Sequence, residues 1–210
     1  MELGELVELP EIYRDEFPDA YLGKGVVRNG TMFLPVYPVN FTEGTGQPGT
    51  ELVAFDVEAR THTIVRDDRC DWGAPMLMCD EIVVAATDVF GASLYLQGAE
   101  GFHEPCLLRI PSGSTSFDSA WTKPFSDWTG TAVAGELIPV SDDRAYTRIY
   151  DASLTPADPL YYWDYAYADA WRWGIVDPSG DGPAIVIDTA PAFGRVDRHT
   201  VNGVTCAGKV

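Results

Sequence analysis

Short apolar runs separated by turn residues dominate the chain, and these runs come in pairs. The clearest pair is residues 25–28 and 31–37, which flank Asn29-Gly30. Asn and Gly tolerate the positive φ angles that a two-residue hairpin turn requires, so this pair predicts a β-hairpin. Glycine and proline also recur singly between the other runs, which is typical of many short strands rather than of long helices.

The hairpin pattern repeats along the chain. Similar pairs are residues 75–78 with 81–86 around Cys79-Asp80, residues 136–140 with 144–150 around 141–143, and the start of a fourth at 199–205. A second predicted hairpin follows each of the first three: 51–56 with 61–65, 106–110 turning through 111–113 towards Phe117, and 171–176 with 184–188. Two hairpins per unit make one four-stranded antiparallel sheet.

Successive four-stranded sheets are typical of a β-propeller, in which each sheet is one blade. We therefore expect an all-β fold of repeated antiparallel sheets in a single β-propeller-like domain over residues 1–210. Its units would be residues 22–68, 72–128 and 131–190, followed by the start of a fourth. A closed ring has about 4 to 8 blades, so the expectation is an incomplete, truncated propeller. The alternative is a sandwich of the same sheets.

Long connections join the first hairpin of each unit to the second, at residues 38–50, 87–104 and 151–170. Binding residues concentrate on such excursions from a rigid scaffold. The third connection and the strand after it carry the densest aromatic run, from which we take the candidate ligand-binding residues Tyr161, Tyr162, Trp163, Tyr165, Trp171 and Trp173. Aromatic faces bind sugars, catechols and cations. The alternative is that these rings pack on the core.

Other candidate chemistry is sparse. His103, on the second connection beside Glu104, is a further candidate ligand-binding residue. None of the common nucleophile-elbow, zinc-protease, phosphate-loop or dinucleotide motifs occurs, so no catalytic residue and no cofactor are assigned. Residues 177–188 match the first half of a calcium loop, but Ile185 stands at its ninth position and the bidentate Glu is missing. An ordinary turn is therefore preferred, and no metal is predicted.

Charge and hydropathy exclude several partners. The 210 residues include 32 acidic and 14 basic side chains, giving a net charge of −18. Such a surface repels phosphate backbones and anionic membranes, so nucleic-acid binding is not expected. No run approaches the roughly 20 apolar residues that span a bilayer, so no direct membrane insertion is expected. The first residues show no export signal.

The four cysteines are Cys70, Cys79, Cys106 and Cys206, and none of them forms a Cys-x-x-Cys pair. A structural zinc site is therefore not expected. Four cysteines allow three complete pairings, and the spacing alone does not choose among them. Burial as small apolar residues is the alternative to a disulfide.

Several segments resemble a known family. They run from Arg69-Cys70 through Ala86-Thr87-Asp88 and Cys106–Ile110 to Tyr150-Asp151 and Ala170–Trp173. Over about residues 50–190 the chain resembles the propeller-type lipoproteins encoded beside catecholate siderophore genes in myxobacteria and related organisms. The resemblance implies an exported, non-catalytic protein, periplasmic or associated with the outer membrane, with a role in siderophore and iron uptake. It also implies a Cys70–Cys106 disulfide.

The residues and the resemblance together predict a non-catalytic extracytoplasmic binding protein of β-propeller type. Its partner would be a small-molecule ligand, either a metallophore or a sugar. The alternative is a propeller hydrolase or lyase that acts on a glycan or a lactone, which would require converging acid and base groups. A weaker alternative is an interaction scaffold that uses an exposed blade edge.

Overall fold

The computed structural model describes residues 12, 14–78, 83–141, 144–155, 157, 161–178, 180, 182–188 and 192. The turn residues Cys79-Asp80 and Asp142-Asp143, the fourth predicted hairpin and Cys206 lie outside these ranges. No helix within the ranges is long and apolar enough to cross a membrane.

The described chain consists mainly of strands, which form three antiparallel sheets in chain order. The first sheet contains β1 (Asp19–Leu22), β2 (Val26–Arg28), β3 (Thr31–Asn40), β4 (Thr45–Gly46), β5 (Thr50–Asp56) and β6 (Thr61–Asp67). The second contains β7 (Gly73–Leu77), β8 (Val83–Thr87), β9 (Cys106–Ile110) and β10 (Thr122–Pro124). The third contains β11 (Ala134–Ser141), β12 (Arg144–Tyr150), β13 (Trp171–Val176) and β14 (Ile185–Val186).

Within each sheet, most neighbouring strands are also neighbours in sequence. The second sheet has the order β10-β9-β8-β7, and the third has the order β11-β12-β13-β14. The first sheet has six strands because the ten-residue β3 is long enough to pair with β2 and β1 in succession, and with both β4 and β5. The expected all-β class with repeated antiparallel sheets is confirmed.

The Asn29-Gly30 hairpin forms as its sequence predicts. Both residues have positive φ, 48° and 79°, and Arg28 pairs with Thr31 across the turn. Strands β5 and β6 likewise pair from Thr50–Asp67 to Asp56–Thr61. These two hairpins show that local turn chemistry determines the register here.

One predicted hairpin is wrong in its second strand. Strand β9 pairs with β10 at Thr122–Pro124, and it does not turn through 111–113 into a strand at Phe117. Phe117 instead packs on the core shared by the first two sheets. The backbone N–H of Asp118 donates to the Arg109 carbonyl, and the Asp118 carboxylate accepts from the Arg109 guanidinium. These contacts hold residues 111–121 as one long connection.

Helices occur only as short elements in the described ranges, and most lie in the connections. Helix α1 (Val89–Gln97) begins after Asp88, whose side chain accepts from the Gly91 N–H, and ends at Gly98 with φ 76°. Helix α2 (Ser126–Thr129) follows β10, and helix α3 (Tyr162–Tyr167) lies between β12 and β13. A 3₁₀ turn covers Ala152–Leu154. The connections 87–104 and 151–170 are therefore partly helical.

The core lies between successive sheets. Phe33 and Leu52 of the first sheet pack with Leu108 and Ile110 of the second, and all four are fully buried. The second and third sheets meet through another cluster, which includes Met76, Leu107, Phe125, Leu137 and Ile149. Each sheet therefore covers the apolar face of its neighbour along the chain.

Polar links cross the same boundaries. The buried Arg28 of β2 lies over the Phe33 ring and donates to the carbonyls of Ile110 and Pro111 at 3.1 and 3.0 Å. Between the second and third sheets, the Gly180 carbonyl accepts from both Lys123 Nζ and Trp128 Nε1. A buried cation that donates to backbone carbonyls satisfies groups that a loop would otherwise leave unpaired.

A disulfide joins Cys70 to Cys106, with their Cα atoms 5.5 Å apart. It connects the segment after β6 to the first residue of β9, and so encloses β7, β8 and α1. Both cysteines are buried. The pairing implied by the family resemblance is confirmed.

Candidate functional site

The three long connections meet at one end of the sheets. They join β3 to β5, β8 to β9 and β12 to β13. The first and second are tied by the buried Asp71, whose carboxylate accepts from the backbone N–H groups of Gly49 and His103 at 2.6 and 2.5 Å. The second and third meet where Phe90 contacts Tyr162, with ring centroids 5.7 Å apart. The sheets thus bring together segments that are distant in sequence.

An aromatic cleft of about 310 Å³ lies where these connections meet. The strands β1 and β3, the turn after β3, the segment before β7 and the helices α1 and α3 supply its lining. The lining residues are Tyr21, Val39, Phe41, Trp72, Phe90, Tyr162, Trp163 and Tyr167. All of these except Val39 are aromatic. The volume is at the lower end of the ~300–1,000 Å³ range of small-molecule sites.

Trp72 is the most constrained ring of the cleft. Its side chain is 2% exposed, and its backbone has a positive φ of 49°. The indole Nε1–H donates to the Gln47 carbonyl at 2.9 Å, and the backbone N–H donates to the Gly49 carbonyl at 3.0 Å. The ring is therefore held in place by the first connection before any ligand binds.

Helix α3 brings two of the predicted aromatic residues into the cleft. Tyr162 is buried and meets Trp72 edge-to-face, with centroids 6.2 Å apart. Trp163 is half-buried, and the exposed Tyr161 stacks on it at 4.6 Å. The helix start is fixed because the Tyr161 N–H donates to the Asp164 carboxylate at 2.9 Å.

The other predicted aromatic residues lie outside the cleft. Trp171 is fully buried against Tyr150, and its Nε1–H donates to the Tyr165 carbonyl at 2.9 Å. The ring of Tyr165 packs near Tyr150 as well. Trp173 lies beside the buried Arg148, whose guanidinium is 5.4 Å from the indole centroid. For Trp171 the core-packing alternative holds, since a residue without exposed surface offers no face to a ligand.

His103 is not among the lining residues of the cleft. Its side chain is half exposed, and Nδ1 lies 3.3 Å from the Asp71 carboxylate. Since its backbone N–H also donates to Asp71, His103 helps to hold the second connection next to the first.

The candidates taken from the sequence omit six of the lining residues, namely Tyr21, Val39, Phe41, Trp72, Phe90 and Tyr167. Phe41 and Phe90 lie on connections that had been singled out by their length. The sequence feature that could have identified the cleft is therefore the presence of an aromatic residue on each of the three connections. Tyr21 belongs to β1, a strand that the hairpin pattern did not predict.

The clearest shifts in acidity lie outside the cleft. The hydrogen bond from Ser153, followed by that from Arg172, holds the pKa of Asp151 below its ordinary value. The Arg109 guanidinium similarly lowers the pKa of Asp118, and burial raises the pKa of the Tyr150 hydroxyl. The first two are ion pairs that support connections, and they do not form an acid–base pair at the cleft.

A metal centre is not evident in the part of the chain that the structure describes, where no group of three or more His, Cys, Asp or Glu side chains is placed to hold an ion. In the calcium-like segment, Ser179 and Asp181 lie outside the described residues.

Comparison with known proteins does not assign the chain to a family. No protein-family model matches the chain, and no curated protein matches it significantly.

Proposed function

We propose that the protein is a non-catalytic, extracytoplasmic binding protein of β-propeller type that holds a small molecule in the aromatic cleft. One observation carries the proposal: connections from three successive sheets converge, and each contributes at least one aromatic ring to the same cleft. A scaffold that assembles one surface from several equivalent connections is typical of proteins whose binding residues lie on loops.

The arrangement of the sheets supports the propeller. Each sheet follows the previous one in sequence and is built largely from consecutive strands. Strand β7 of the second sheet contacts β2 and β3 of the first sheet and β11 of the third. Under this proposal the sheets are consecutive blades with their long connections on one face of the ring.

The chemistry of the lining supports binding rather than catalysis. The polar side-chain groups of the described lining residues are tyrosine hydroxyls and the Trp72 indole N–H, and the latter already donates to the Gln47 carbonyl. A hydrolase or lyase acting on a glycan or lactone needs a positioned acid or base within hydrogen-bond reach of its substrate. We therefore favour the binding protein over the enzyme.

The Cys70–Cys106 disulfide supports an extracytoplasmic location, periplasmic or at the outer membrane, because such bonds persist in oxidising compartments. The family resemblance gives one ligand class to test, a catecholate metallophore bound as part of siderophore and iron uptake. The aromatic run gives a second class, a sugar. Both present flat faces that aromatic rings can contact.

The test is a calorimetric titration with a panel of catechol, ferric catecholate, simple sugars and small organic cations. At least one class should bind the intact chain, and Trp163→Ala should weaken that binding by about 1–2 kcal/mol. Trp173→Ala is the matched control, since both indoles are half-buried but only Trp163 lines the cleft. Equal losses in the two variants, or no binding by any class, would contradict the proposal.

A further inference from the structure

We infer that the ligand of the aromatic cleft is a small organic cation carrying a quaternary ammonium group. The inference rests on the proposed binding function and selects the small organic cations of the test panel over the metallophore and the sugar. Three features of the cleft carry it: the angles between its rings, the sign of the charges around it, and its scarcity of hydrogen-bonding groups.

Neighbouring rings of the cleft meet at steep angles. The plane of Tyr162 is inclined by 80° to that of Trp72 and by 83° to that of Phe90. Phe90 in turn meets Tyr167 at 78°. Trp72 and Tyr162 are 2% and 6% exposed and pack edge to face, so their own faces are largely covered. The more accessible rings of Phe90 and Tyr167 present faces in different directions. Faces arranged in this way contact a compact, roughly spherical group on several sides, whereas a flat ring is held best between parallel faces.

Carboxylates predominate on the lining elements, since Arg69 in the segment before β7 is paired with Asp67 at 2.6 Å. Strand β1 carries Asp19, the turn after β3 carries Glu43, and helix α3 carries Asp164, whereas β1, α1, α3 and this turn contain no Lys or Arg. The carboxylate of Asp19 accepts from the Phe41 N–H at 3.3 Å, and that of Asp164 accepts from the Tyr161 N–H. Negative charge is thus fixed beside lining residues in a chain whose net charge is −18.

This charge distribution favours a cation over the anionic members of the ligand panel. Carboxylates near the rim raise the local concentration of cations and repel anions. A ferric catecholate complex carries negative charge, so it would enter against this field. The faces of Trp and Tyr rings attract positive charge through their quadrupoles.

The lining also distinguishes one kind of cation from another. A primary ammonium or guanidinium group needs hydrogen-bond acceptors when it leaves water. The described lining residues present mostly ring carbon, with no carboxylate among them. A quaternary ammonium group has no N–H donor, so it leaves no hydrogen bond unsatisfied in such a cleft, and the ring faces offset part of its lost hydration. A sugar, whose hydroxyls all need partners, fits it poorly.

The experiment compares choline with 3,3-dimethylbutan-1-ol, its uncharged isostere of nearly the same shape, by calorimetry on the intact chain. Choline should bind at least about tenfold more tightly, since the cation–π attraction is lost in the isostere. Trp163→Leu should remove most of this preference because it keeps apolar contact without the ring face. Trp173→Leu should leave the preference unchanged.

Three other results would overturn the inference that the ligand is a cation. They also show whether the proposed binding function survives. Equal affinity for choline and its isostere, with Trp163 dependence, would leave a binding protein with an apolar ligand. Binding of a catechol or a sugar at Trp163 without binding of choline would likewise preserve the function but not the cation. If no ligand of the panel binds, both proposals fail.

Discussion

The backbone of Gly46 lies directly against the indole of Trp72. A Cβ atom built on Gly46 would come within 2.3 Å of Trp72 Cζ2 and 3.1 Å of Cη2. The indole cannot move aside freely, because its Nε1–H donates to the Gln47 carbonyl. The close approach therefore links the short strand β4 to the most constrained ring of the cleft.

Gly46→Ala should displace the Trp72 ring and impair both stability and binding. We expect a loss of about 1–3 kcal/mol in the free energy of unfolding, as overpacking of a filled site usually causes. Urea unfolding followed by tryptophan fluorescence measures it. Gly182→Ala is the control because a Cβ there meets nothing within 4 Å. A Gly46→Ala protein as stable as the control would refute the tight packing.

The disulfide should stabilise both the fold and the cleft, because Cys70 lies two residues before Trp72. The bond closes a loop with a sequence separation of 36, and a loop of this size contributes about 2–4 kcal/mol. Cys70→Ala with Cys106→Ala should lower the free energy of unfolding by this amount, measured as a lower urea midpoint, and should weaken ligand binding. Wild-type protein with both thiols reduced should behave like the double variant. An unchanged midpoint would contradict the expectation.

Local patterns predicted much of the sheet structure. The Asn29-Gly30 turn and the 51–56 and 61–65 strands were evident in sequence because a turn and two alternating runs form with few distant partners. The β9 partner strand was misplaced because residues 111–121 are organised by an ion pair, Arg109–Asp118, and by the packing of Phe117. Neither contact has a local sequence signal.

The candidate site was predicted only in part. Tyr162 and Trp163 were found from the density of aromatic residues on one connection, and both line the cleft. Trp171 looked equivalent in sequence, yet it is buried against Tyr150. Which rings face a cleft depends on how three connections from different sheets pack, and one run of aromatic residues does not contain that information.

Acid should weaken the connection between β9 and β10 through Asp118. The hydrogen bond from Arg109 lowers the pKa of this carboxyl from its ordinary value of 3.8. A group whose pKa is lowered on folding stabilises the folded state above its unfolded pKa, and the contribution disappears as pH falls through the folded value.

The difference in unfolding free energy between wild type and Asp118→Asn should therefore be constant near neutral pH and shrink below about pH 3.8. Urea titrations from pH 7 to about pH 2.5 measure this difference. Asp68→Asn is the control, since Asp68 is exposed. A difference that grows on acidification would reverse the sign and contradict the ion pair.

Arg28 should be the most sensitive polar residue at the boundary between the first and second sheets. It is 6% exposed, lies 5.0 Å from the Phe33 centroid and donates to the carbonyls of Ile110, Pro111 and Ser114. Arg28→Met keeps the apolar stem but leaves these carbonyls without their charged donor, so we expect a loss of about 2–4 kcal/mol.

Arg28→Lys should recover only part of that stability, because one ammonium cannot reproduce the fork of a guanidinium that contacts several carbonyls. Arg144→Met is the matched control, since Arg144 is exposed at the start of β12. Urea unfolding of the four proteins gives the order wild type and Arg144→Met, then Arg28→Lys, then Arg28→Met. If Arg28→Met were as stable as Arg144→Met, the sheets would be held together by apolar packing alone.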